Sequence, residues 1–165
     1  MPSKPPTPAE FRLACGQFAT GVTVVTAERV PGKVHGMTAN SVTSVSLSPL
    51  LLLVCVDQRA HLLPLLQQKR QFGVNVLKQE QQSVSRYFAQ TEENEETEAK
   101  LGIRYRWTES GIPLLEDSLV HIACKVTATH VAGDHTIFVG QVESTEIFDG
   151  DPLVYFRGAY RRVAP

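Results

Sequence analysis

From Leu119 onward the chain alternates two kinds of side chain over two long runs. Val120, Ile122, Cys124, Val126 and Ala128 interleave with His121, Lys125, Thr127 and Thr129. After a turn at Ala132-Gly133-Asp134, a second such run covers residues 135–148. A period of two sends alternate residues to opposite faces of a strand, so each run reads as a long, half-exposed strand with one apolar side. Asp149-Gly150-Asp151-Pro152 is a turn, and residues 153–156 form a last strand.

The first half carries the same signal in shorter pieces. Val22-Thr23-Val24-Val25-Thr26 is β-branched throughout and reads as a strand. Pro31-Gly32 turns the chain, so residues 34–40 return antiparallel. Val45 and Leu47 alternate with Ser44, Ser46 and Ser48, residues 50–56 read as a strand buried on both faces, and residues 72–77 form another. Helices are few. Thr7 as N-cap, Pro8 at the first helical position and Glu10 completing a capping box start one, with Phe11, Ala14, Cys15 and Phe18 on one face. A second spans residues 61–70 and tolerates Pro64 only in its first turn, and a third spans 79–90 with Val84, Tyr87 and Phe88 on one side. Six or seven antiparallel strands with short helices predict a mainly β fold, a closed antiparallel barrel, because closure removes exposed edges.

At 165 residues the chain is read as one domain over residues 10–163, preceded by a Pro-rich disordered tail and helix cap at 1–9. A formal net charge of -1 leaves no electrostatic footprint for nucleic acid or an anionic membrane surface. The N-terminus lacks the apolar core of a secretory signal, and no uncharged apolar run approaches the roughly 20 residues that span a bilayer. Cys15, Cys55 and Cys124 are odd in number and far apart, which suits a reducing cytoplasm. The five glutamates of residues 91–100 read as a solvated excursion.

Several chemistries are excluded by spacing. His121 and Cys124 fall on opposite faces of a strand and cannot chelate together, and His130 with His135 makes only two ligands, so no metal is expected. No G-x-S-x-G occurs, and Gly32-x-x-x-Gly36 is not a dinucleotide fingerprint. The remaining stretch is 36–48, a row of neutral hydroxyls and one amide without charge, running into the apolar residues 50–56. Such a row suits a flat heterocycle, whose rings stack on aliphatic side chains while its polar edge finds fixed partners. It equally suits a barrel strand whose outward face is Ser-rich.

The residues resemble a known family. Phe18-Ala19-Thr20-Gly21-Val22-Thr23-Val24-Val25-Thr26, Gly36-Met37-Thr38-Ala39-Asn40-Ser41 and Ser44-Val45-Ser46-Leu47-x-Pro49 are similar to the short-chain flavin reductases, the reductase components of two-component flavin monooxygenases. Further matches follow in order: Phe72-x-Val74-Asn75-Val76-Leu77, Gly133-Asp134-His135, Val139-Gly140-x-Val142 and Pro152-Leu153-Val154-Tyr155-x-x-Gly158-x-Tyr160. Each is weak alone; their order is specific.

The resemblance implies an FMN-binding split β-barrel that works as a homodimer, passes hydride from NADH or NADPH to FMN or FAD, and supplies reduced flavin to a separate monooxygenase. Carried over by position, Met37, Thr38, Ala39, Asn40 and Ser41 run along the isoalloxazine edge, with Ser44 among the flavin-binding hydroxyls. Val54, Cys55 and Val56 lie beside the ring, His135 faces the nicotinamide as the catalytic candidate, and Tyr160 helps close the pocket. One departure stands out. Where many members carry a hydroxyl-rich phosphate-binding pattern, this chain has Asp57-Gln58-Arg59-Ala60-His61-Leu62. Arg59 or His61 supplies charge in its place, or backbone donors at the following helix start do so. The rival readings are a non-catalytic flavin carrier or sensor on the same barrel, and a haem or other small-ligand barrel.

Overall fold

The computed structural model describes residues 4–90 and 94–163. The chain runs α1 (Pro8–Cys15), β1 (Thr20–Gly21), β2 (Thr23–Val30), β3 (Lys33–Ala39), β4 (Val42–Leu47), β5 (Leu50–Asp57), α2 (Leu62–Lys69), β6 (Gln71–Val76), α3 (Gln82–Phe88) and α4 (Glu95–Lys100). It continues through β7 (Tyr105–Trp107), β8 (Pro113–Leu115), β9 (Val120–Ala132), β10 (His135–Ile147), β11 (Val154–Phe156) and β12 (Ala159–Arg161). The capping box of α1 forms as the sequence predicts: Thr7 Oγ1 accepts from Glu10 N, and the Glu10 carboxylate accepts from Thr7 N. Of the Glu-rich stretch, 91–93 lie outside the described residues, and α4 beyond them has no buried residue. The expected tail likewise begins outside them, at residues 1–3.

Seven strands form one antiparallel sheet in the order β3-β2-β6-β9-β10-β5-β4. Its edge strands, β3 and β4, are neighbours in the chain, separated only by Asn40 and Ser41. Three Cα–Cα steps of about 3.8 Å bring the two edges together at that end, so the sheet must curl into a barrel. No ladder joins β3 to β4, however, so the sheet is not closed as the sequence reading expects. The register explains the seam. β4 slips against β5 between Ser44 and Ser46, Thr43, Ser44 and Val45 are exposed, and Leu47 at the end of the strand is 87% exposed.

Inside, Val25, Val54, Val56, Phe72, Val74 and Phe138 pack together, and α2 plugs one end with Leu62 and Leu66. The Pro64 ring sits in the first turn of α2, where its missing N–H costs nothing. A second cluster joins Val24 and Leu77 to Val84, Tyr87 and Phe88 of α3, and to Leu153. Gly36 permits that packing: a Cβ there would lie 2.5 Å from Phe88 Cδ1.

Two strand readings need correction. Residues 50–56 are buried on one face only: Leu52, Val54 and Val56 point inward, whereas Leu51, Leu53 and Cys55 are half-buried on the outer face. His121 is not on an exposed face of β9 either. The β7–β8 hairpin covers that stretch, and Arg106 of β7 donates to His121 Nδ1 at 2.7 Å.

Candidate functional site

The seam gathers most of the residues singled out above. At one end of it a cavity of about 600 Å³ is lined by His35, Met37, Thr38, Arg59, Ala60 and His61, with Asp57 beside them, a size within the roughly 300–1,000 Å³ of small-ligand sites. β3 supplies one wall and the turn from β5 into α2 supplies the other. Phe88, Ala89 and Gln90, at the end of α3, close the back.

The hydroxyls at the seam are of two kinds. Thr38 Oγ1 donates to the Ser85 carbonyl at 2.7 Å, and Ser85 Oγ is 2.8 Å from the Tyr160 hydroxyl. This chain ties β3, α3 and the β11–β12 hairpin together, and the Arg86 guanidinium lies over the Tyr160 ring. Ser41 Oγ donates to the Cys55 carbonyl at 2.9 Å, while Cys55 N donates to the Ser41 carbonyl at 3.0 Å, which pins the crossover to β5. Asn40, Thr43 and Ser44 are exposed. Asn40 instead lines a separate apolar groove with Leu13 and Phe18 of the N-terminal segment and Tyr155.

Of the three wall residues on β5, Val54 and Val56 have their side chains in the core, and Cys55 alone faces outward. Partial burial raises its thiol above the ordinary range, so it is a neutral, polarisable wall group. Opposite it on β10 stands Ile137, and opposite Leu53 stands Val139, all half-buried. The next pair along is Asp57 and His135.

Charge collects at this end. Asp57 accepts from Arg59 N at 2.8 Å, Nε at 3.0 Å and Nη2 at 2.8 Å. The Arg59 hydrogen bonds hold the Asp57 carboxyl well below the usual carboxylate range. His135 Nδ1 is 2.7 Å from Asp134 Oδ1, and that bond lowers Asp134 in turn. Gln58 anchors the turn by donating to Thr136 Oγ1 at 3.1 Å, and its backbone N–H to the Asp134 carbonyl at 2.9 Å. Sequence reasoning missed His35, which is buried and stands 6.1 Å from the His61 ring, centre to centre. It also missed Gln58 and Phe88. His35 precedes the glycine that Phe88 packs on, the one local signal that pointed there.

Residues 15–164 match the flavin reductase like domain family. The chain belongs to that family. It is 43% identical over 157 residues to an NADH-dependent flavin reductase of a Rhodococcus species, covering 94% of this chain and 86% of that one. It is 40% identical over 154 residues to the reductase component of 4-hydroxyphenylacetate 3-monooxygenase from Thermus thermophilus, covering 93% and 95%. Among solved structures, the NADH:FAD oxidoreductase SgcE6 of Streptomyces globisporus, in complex with NAD and FAD fragments, superposes with a TM-score of 0.86 at 34% identity, over 99% of this chain and 98% of that one. The flavin reductase-like fold therefore extends over the seam and both of its walls.

Proposed function

We propose that this flavin reductase-like protein transfers hydride from a reduced nicotinamide, NADH in its named relatives, to FMN or FAD, and releases the reduced flavin to a separate monooxygenase. The observation that carries the reading is the near-full-length likeness to NADH-dependent flavin reductases. The donor set fits a flavin. The seam offers neutral hydroxyls and backbone along one edge, an aliphatic and thiol wall, and nitrogen-bearing side chains at the far end. Bound flavin supplies hydride acceptance from the nicotinamide, so the protein needs no strong acid or base. Its own task is to hold two ring systems in register.

We assign Met37, Thr38, Ala39, Asn40 and Ser41, with Ser44, to the flavin edge, and Cys55 to the wall, with Val54 and Val56 acting as its packed backing. The 59–62 turn, with Arg59, Ala60 and His61, takes the phosphate end. Tyr160 acts through Ser85, holding α3 against β3. His135 orients the nicotinamide. The test is NADH oxidation in the presence of FMN, FAD or riboflavin: turnover is expected only with flavin, and its absence with all three would overturn the assignment.

The working unit we propose is a homodimer in the cytoplasm. Val45, Leu47 and Leu50 are about half-exposed or more around β4 and β5, and Phe11, Leu13 and Phe18 are exposed beside α1. Apolar surface of this extent is what an obligate partner covers. The three cysteines are free thiols, in keeping with a reducing compartment. Among the described residues no helix is long and apolar enough to cross a membrane. Sedimentation at micromolar concentration should show a dimer; a monomer that binds flavin tightly would remove this part.

A further inference from the structure

We infer that Asp57 restrains Arg59, weakening the grip on the flavin's phosphate so that reduced flavin leaves readily. The inference rests on the flavin reading above. Arg59 is the only guanidinium lining the described cavity. An arginine fork is the strongest phosphate ligand a side chain offers, because two parallel N–H groups match two phosphate oxygens. Here the side-on pair of donors, Nε and Nη2, is already filled, which leaves Nη1 as the less constrained end. Nε and Nη2 donate to the two oxygens of Asp57, and the backbone N–H of Arg59 donates to one of them as well.

The geometry is local. β5 ends at Asp57, Ala60 N closes a turn onto the Asp57 carbonyl at 3.0 Å, and the pair is made within that turn. Asp57 therefore acts twice against a phosphate: it occupies the side-on donors, and its charge repels the incoming group. Arg59 is largely exposed, its side chain 87% accessible, so the pair is soft. A soft restraint trims affinity without abolishing it. That suits a protein whose product is a diffusible flavin, for which a fully engaged fork would slow departure.

The test compares FMN with riboflavin, which lacks the phosphate, on flavin-free protein. Asp57→Asn keeps an oxygen for the Arg59 backbone N–H and removes the charge. It should tighten FMN binding about 10-fold, equivalent to about 1.4 kcal/mol, while riboflavin shifts by less than about 2-fold. Release of reduced FMN, followed anaerobically by stopped flow, should slow by a similar factor. Arg59→Ala should erase the gain in the Asp57→Asn background, yet change FMN binding by less than about 3-fold alone, because the two residues are coupled. Asp57→Ser gives the same comparison should the Asn variant fold poorly. An unchanged FMN-to-riboflavin ratio, or a gain that survives Arg59→Ala, overturns the restraint. Loss of NADH oxidation with every flavin would instead overturn the reductase reading, so the two failures are distinct.

Discussion

Two regions of the barrel set neutral polar side chains among apolar neighbours, with opposite outcomes. Across β2 and β6, Thr26 and Asn75 are fully buried. Thr26 Oγ1 donates to the Pro113 carbonyl at 2.6 Å, and Asn75 Nδ2 donates to the Val24 carbonyl at 2.9 Å. Leu115 N donates to Asn75 Oδ1 at 2.8 Å, so the network fastens the β7–β8 hairpin onto the sheet. At the seam, Asn40, Thr43 and Ser44 carry the same kinds of group and stay exposed. The two look alike as residue types. What separates them is whether the fold closes over the group: buried, it must be met by the chain's own backbone, whereas exposed it is met by water and open to exchange with a ligand.

The largest expected effect breaks the covered region. Asn75→Ala strips the buried Leu115 N–H of its partner and removes the side-chain bond to the Val24 carbonyl, which keeps its place in the β2–β6 ladder; the unmet N–H and the lost bond together cost about 1–3 kcal/mol. A total near 2 kcal/mol should lower the melting temperature by roughly 4–8 °C for a chain of this size. Thermal unfolding checks it. A loss under about 1 kcal/mol would mean that water replaces the amide, and the two regions would no longer differ in kind.

Two histidines sharpen the contrast. His135, at the start of β10 opposite Asp57, is half-buried, and its Nδ1 lies 2.7 Å from Asp134 Oδ1. Replacing it with alanine should raise the KM for NADH, or lower turnover, about 10-fold, a hydrogen bond of about 1.4 kcal/mol, with a much smaller change in flavin affinity. Unchanged NADH kinetics with poor flavin retention would move His135 to the flavin. His121, under the hairpin, is engaged at both nitrogens: Nδ1 accepts from Arg106, so Nε2 carries the hydrogen and donates to the Leu115 carbonyl. Burial, with the Arg106 charge adding to it, holds its pKa below the usual imidazole range. The unfolded chain then takes up the proton first as pH falls, so this stability is complete above about pH 6.5 and is lost below it. The slope cannot exceed about 1.4 kcal/mol per pH unit for one proton. Melting temperatures between pH 7.5 and 5 should fall less steeply in His121→Gln, and an identical slope would remove His121 as the cause.

Legibility followed the range of the interactions. The capping box at Thr7 and Glu10 and the alternation of β9 and β10 are local, and both stood in the sequence. The β7–β8 hairpin did not, because strands of three residues are too short to show a period. Missing it hid the burial of His121. Residues 50–56 concealed their inner face, since leucines and valines on both faces erase the alternation that would mark it. The seam was beyond local reading as well: that β3 and β4 are sheet edges depends on four other pairings. Of the candidate site, the hydroxyl row and the turn at 57–62 were visible, but the filling of the Arg59 fork by Asp57 requires coordinates.

The smallest expected effect is the most discriminating. The register puts Ser44 opposite Leu52, beside the bulge of β4, and the residue is exposed. Ser44→Ala should therefore change stability by less than about 0.5 kcal/mol, as surface substitutions do. If the exposed hydroxyls are ligand capacity, the same variant should weaken riboflavin and FMN equally, by about 2- to 10-fold for one neutral hydrogen bond of roughly 0.5–1.5 kcal/mol. Equality matters, because it separates the ring edge from the phosphate end, where only FMN would respond. The measurement is a paired titration of both flavins beside a melting curve. A variant that keeps its flavin affinities while its dimer weakens in sedimentation would assign Ser44 to the subunit contact, and the flavin edge would then end at Ser41.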